Sequence, residues 1–88
     1  MSSFSEIQNM QFDFARALDV LRSGRLVTRL GWNGRNQFLA LQRPDQHSKM
    51  TLPYIYIKTV HGDFVPWVGS QTDLLSRDWM EFTPTPQP

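Results

Sequence analysis

Cysteine is absent from the 88 residues, which excludes disulfides and every thiolate-ligated metal. Histidine is scarce: His47 and His61 are the only two, too few for a zinc cluster. No apolar run approaches the roughly 20 residues of a membrane span, and the polar first residues have no signal-peptide pattern. The expected setting is therefore the cytoplasm, with no membrane partner. Charge of neither sign dominates: nine Lys and Arg stand against eight Asp and Glu, short of the basic excess of a DNA or RNA binder. Enzyme signatures are missing too, with no P-loop, dinucleotide fingerprint, nucleophile elbow or H-E-x-x-H. His47 lies in a polar loop and His61 at a hairpin tip, and both read as solvated, because general-base catalysis needs a positioned partner. No cofactor and no catalytic residue are expected.

What is present is a short, aromatic-rich chain. Its length allows one domain, and a chain this small buries only about 60–65% of the surface its unfolded form exposes. Small proteins offset that with disulfides, a metal or association, and here association is the route left open. Aromatic residues make up 12% of the sequence, three of them Trp.

The pattern predicts a loose N-terminal segment over 1–11, one α+β domain over 12–82, and a Pro-rich tail over 83–88. Asp13 reads as the N-cap of a helix whose apolar stripe is Phe14, Ala17, Leu18 and Leu21, with Gly24 just past its end. Strands are expected over 26–30, 37–42, 54–59 and 64–68. His61-Gly62 reads as a two-residue hairpin turn, and Pro66 demotes its strand to an edge. Ser70-x-x-Asp73 has the spacing of a capping box, opening a short helix over 71–78, and a last strand follows over 79–82. The order α-β-β-β-β-α-β specifies an α+β fold, a small antiparallel sheet with two helices.

Two clusters are candidates for binding. Trp32 and Asn33 sit between Gly31 and Gly34, where the backbone can approach a ligand closely and a flat ring can stack on a base. Ser70, Gln71, Thr72 and Asp73 gather hydroxyl, amide and backbone N–H groups suited to ribose or phosphate oxygens. Each has a plainer reading, as a turn and as an ordinary helix cap. Trp79 reads as core. Asp73 and Asp78, at i and i+5 on the expected helix, do not share a face and make a poor acid/base pair.

Taken in order, Gly31-Trp32-Asn33-Gly34, Leu52-Pro53-Tyr54-Ile55, Ile57-Lys58-Thr59, Val65-Pro66-Trp67, Ser70-Gln71-Thr72-Asp73-Leu74-Leu75 and Asp78-Trp79 resemble a small phage-associated family. They look like the Thoeris anti-defence sponge proteins of the second type, and Phe14-Ala15-Arg16-Ala17-Leu18 with Arg22-Ser23-Gly24-Arg25 matches that family's opening helix. The resemblance covers about 13–82. It implies a protein that sequesters cyclic nucleotide immune signals without cleaving them, chiefly glycocyclic ADP-ribose isomers made by TIR enzymes, in some members also CBASS cyclic oligonucleotides. It further implies a homotetramer, a dimer of dimers with pockets between subunits, acting in the cytoplasm of the infected bacterial host. Carried to matching positions, Trp32 and Asn33 would line the pocket. Ser70, Gln71, Thr72 and Asp73 would bond ribose and phosphate, and Phe14 and Asp13 would close one side. The competing expectations are a small phosphodiesterase acting on the same signals, and a structural phage protein whose aromatics only make subunit contacts.

Overall fold

A computed structural model describes residues 10–32 and 36–84. Helix α1 (Phe14–Arg22) begins at Asp13, whose carboxylate accepts the Arg16 N–H at 3.0 Å. It ends in a Schellman arrangement: Gly24 adopts φ +92°, its N–H donates to Leu21 and that of Arg25 reaches back to Val20. Strands β1 (Leu26–Arg29), β2 (Phe38–Gln42), β3 (Tyr54–Lys58) and β4 (Phe64–Pro66) follow, then helix α2 (Gln71–Leu75) and strand β5 (Trp79–Phe82). This is the α-β-β-β-β-α-β order that the sequence pattern implies.

All strand pairs are antiparallel, in the spatial order β4-β3-β2-β1-β5. The chain thus leaves the β4 edge, passes through α2 and returns to pair β5 with β1 at the far edge. Phe12 and Trp79 exchange two backbone hydrogen bonds, so the residue before α1 lies outside β5. The register lines up Val27, Leu39, Ile57 and Val65 on one face. Helix α1 packs there, and Ala17, Val20, Leu21, Val27, Leu39 and Trp79 form the buried core. Period-two alternation puts Phe38, Tyr56, Phe64 and Phe82 on the opposite face, which neither α1 nor α2 covers among the described residues. There Phe38 stacks on Phe82 at 5.1 Å, Tyr56 meets Phe64 edge-on at 5.4 Å, and Lys58 lies over the Phe38 ring. Among the described residues no helix is long and apolar enough to cross a membrane.

Three local expectations are corrected. The hairpin after β3 has three loop residues, Val60, His61 and Gly62, because Thr59 N–H bonds Asp63 O and Gly62 at φ +91° follows a turn closed by its own N–H on Thr59 O. Helix α2 stops at Leu75 instead of running to Asp78. Ser76 turns extended, its hydroxyl donating back to the Thr72 carbonyl, which satisfies the end of the helix locally. The fourth strand ends at Pro66, although pairing resumes once beyond it, from Trp67 N–H to Ile55 O. The expected loose segments, 1–11 and 83–88, fall mostly outside the described residues.

Candidate functional site

Arg29 faces the helix side of β1, directly opposite Trp79 in the register. A guanidinium there needs carboxylates, and two reach it. Its Nε donates to Asp78 Oδ1 and its Nη1 to Asp73 Oδ1, both at 2.8 Å. The three side chains are only 14–24% exposed, so these pairs are sheltered from screening. Because α2 ends early, Asp73 and Asp78 converge on one cation, which overturns the expectation that they lie apart.

Each carboxylate also organises backbone. Asp78 Oδ2 accepts the Gly31 N–H at 2.8 Å, fixing the turn that follows β1. A Cβ on Gly31 would stand 2.8 Å from that oxygen, so a side chain there would displace the Asp78 carboxylate from its place. Asp73 completes the capping box with Ser70, accepting its N–H on Oδ2 while donating its own N–H to the Ser70 hydroxyl. Burial alone would raise both carboxyls. Donors outweigh it, and both lie below the ordinary carboxylate range: Trp32, Arg29 and Ser70 act on Asp73, Arg29 and Gly31 on Asp78. The Asp78 hydrogen bond raises the Arg29 guanidinium further, against its partial burial.

Trp32 enters through this network. Its indole N–H donates to Asp73 Oδ1 at 3.1 Å, and its ring stands edge-on to Trp79 at 5.3 Å. Trp79 is fully buried, donates its own indole N–H to the Asp73 carbonyl at 2.8 Å, and touches Phe14 and Trp67 as well. The core expectation for Trp79 therefore agrees with its burial. Above these rings Trp32, Gln37, Ile57, Trp67 and Asp73 line a cleft of about 280 Å³.

The predicted site residues divide accordingly. Trp32 and Asp73 line the cleft, and Ser70, Gln71 and Thr72 are exposed beside Asp73 in the first turn of α2. Phe14 lies beneath the lining, half-buried against Trp67 and Trp79. Asp13 is engaged as the α1 cap, and Asn33 lies outside the described residues. Sequence reasoning missed Gln37, Ile57, Trp67, Arg29 and Asp78. Arg29 had a signal: it is a charge on the inward phase of a strand whose other inward residue, Val27, is apolar. Among the described residues no group of three or more His, Asp or Glu could hold a metal ion.

The family model for the Thoeris anti-defense 2-like domain matches residues 12–82, the span that carries every element of the sheet and the cleft. The chain belongs to the Thoeris anti-defence 2-like family. A curated relative, Thoeris anti-defense 2 of Bacillus phage SP01, is 37% identical over 82 aligned residues, covering 78% of this chain and 92% of that protein. Membership in the Thoeris anti-defence 2-like family places the chain in a phage anti-defence role.

Proposed function

We propose that the chain captures a cyclic nucleotide immune signal, a glycocyclic ADP-ribose isomer or a related cyclic oligonucleotide, and holds it without cleaving it. The observation that carries this reading is the cleft beside the pinned Trp32 ring, lined also by Trp67 and Ile57. With its N–H engaged by Asp73, Trp32 offers a ligand ring surface and not a donor. That suits stacking on a base, which contributes roughly 1–3 kcal/mol per base.

The polar part of the ligand is constrained by charge. One guanidinium against two carboxylates leaves the cluster below the cleft with an excess negative charge. A phosphate is repelled from the Asp73 carboxylate and is accommodated at the exposed Gln71 amide and Thr72 hydroxyl, the Ser70 groups being engaged with Asp73. Asp73, held ionised by Trp32 and Arg29, and Asp78, held ionised by Arg29 and Gly31, are not available as general acids for phosphodiester cleavage.

Capture at nanomolar strength needs about −12 kcal/mol, more than one stacked ring supplies. The cleft also falls just below the roughly 300–1,000 Å³ of ordinary small-molecule sites, too small to enclose a base, two riboses and a pyrophosphate together. A second copy would complete the enclosure, and Leu30, Val68 and Leu75, sequence neighbours of the site, are exposed apolar side chains that association would cover. In this reading the protein is a homo-oligomer, a dimer of dimers, working in the cytoplasm of the infected host.

The test is to mix protein with a glycocyclic ADP-ribose isomer, remove free ligand, heat the complex and analyse the supernatant. Intact ligand recovered in proportion to protein supports capture. A cleavage product identifies a phosphodiesterase, and failure to retain any cyclic nucleotide in a panel overturns the binding reading.

A further inference from the structure

We infer that Arg29 is a positioning residue for the binding surface: through the Asp73 carboxylate it sets the orientation of the Trp32 indole. The chain of contacts is short and continuous. Arg29 Nη1 and Trp32 Nε1 donate to the same oxygen, Asp73 Oδ1, at 2.8 and 3.1 Å. The Asp73 backbone is itself fixed, by the Ser70 hydroxyl at its N–H and by the Trp79 indole at its carbonyl. The carboxylate therefore has a rigid root; the Ser70 N–H holds its Oδ2, and Arg29, with the shorter bond, fixes where Oδ1 points.

Arg29 also controls the other end of the Trp32 segment. Its Nε and Nη2 both donate to Asp78, whose Oδ2 holds the Gly31 N–H, and the Trp32 N–H bonds the Arg29 carbonyl at 3.2 Å. One planar guanidinium thus ties down the backbone leading into Trp32 and the tip of its ring. Only a fork-shaped donor can address two carboxylates in fixed directions, so lysine is not equivalent here. An indole pinned at both ends loses little further freedom on stacking, which makes the surface pre-organised for a ligand.

This role rests on the capture reading for its consequence and on geometry alone for its existence, and two measurements separate them. In ¹⁵N–¹H spectra of the free protein, the Trp32 indole N–H is assigned by its disappearance in Trp32→Phe. In Arg29→Lys, and in Arg29→Gln if that variant folds, this resonance moves and exchanges faster with water, while the Trp79 indole resonance keeps its place. Calorimetry with a glycocyclic ADP-ribose isomer reads the consequence. Arg29→Lys weakens capture about tenfold, the scale of one charge-assisted hydrogen bond. In a Trp32→Phe background the same change has little further effect, since the indole N–H through which Asp73 orients the ring is gone. An unchanged Trp32 resonance in Arg29→Lys overturns the inference, as does an equal loss of affinity in both backgrounds. If the unaltered protein captures no such isomer, the proposed function fails, and the spectra still decide the role of Arg29.

Discussion

Trp79 carries the junction between the core and the cleft, and replacing it with Phe measures that junction without dismantling it. Trp79→Phe keeps a ring in contact with Phe14, Trp32 and Trp67 but removes the indole N–H that donates to the Asp73 carbonyl at 2.8 Å. The net loss of one such hydrogen bond is about 1 kcal/mol. The smaller ring vacates roughly 40 Å³, and at about 24 cal/mol per Å³ that costs about 1 kcal/mol more. The expected destabilisation is therefore about 2 kcal/mol, a fall in midpoint of roughly 8–16 °C for a domain of this size. Trp79→Ala removes the whole buried ring and costs about 3–5 kcal/mol. Against a total stability of roughly 4–13 kcal/mol for a chain of this length, that loss removes from about a quarter to all of it. Urea unfolding followed by far-ultraviolet circular dichroism, at one fixed protein concentration, reads both values. A Trp79→Phe protein within about 0.5 kcal/mol of wild type refutes the reasoning, since surface substitutions scatter by that much. So does a Trp79→Ala protein that keeps wild-type stability and loses only ligand.

The other predictions concern the same neighbourhood and one distant turn. Trp32→Ala abolishes retention of the cyclic nucleotide while leaving the elution volume of the assembly unchanged; dissociation or unfolding shows instead that Trp32 is structural. Asp73 and Asp78 have carboxyls lower in the folded chain than in the unfolded one, so their stabilisation is complete above the unfolded value near about 3.9 and drains away as pH falls below it. Thermal midpoints should fall below about pH 4, and Asp78→Asn should flatten that acid limb; an equally steep limb in the variant contradicts the pairing. Gly69→Ala would put a Cβ 2.5 Å from the Trp67 ring, so the ring must move and retention must weaken, with a shift in Trp emission as the check. Gly62→Ala has open space but keeps φ +91°, so its cost of about 1 kcal/mol in urea unfolding is backbone strain alone.

What could be read from sequence was what depends on near neighbours. The α1 cap at Asp13, the Gly24 exit and the Ser70–Asp73 box are set by residues within a few positions, and each has one physical solution. Alternation fixed the strands for the same reason, and Pro66 marked an edge because it cannot donate to a neighbour. The cleft was legible only in part. Trp32 and Asp73 stood out by residue type, but Arg29 meets Asp73 and Asp78 across 44 and 49 residues of chain. That meeting depends on β5 crossing to pair with β1, a topological choice no local pattern encodes. Ending α2 at Leu75 then turned two carboxylates from unrelated faces into partners of one cation.

Among the described residues, the two borders of the sheet are guarded against further strands by different means. On one side β4 is three residues long and finishes in proline, which offers no N–H to an incoming strand. On the other, Phe12 already occupies the backbone groups of Trp79, and the charged Glu81 side chain, paired with Arg25, stands two residues further on. Among the described residues, an added strand therefore finds only a short, interrupted stretch of free backbone on either side. Runaway ribbon growth, the ordinary hazard of a small sheet with an aromatic face, thereby has poor templates at both starting points.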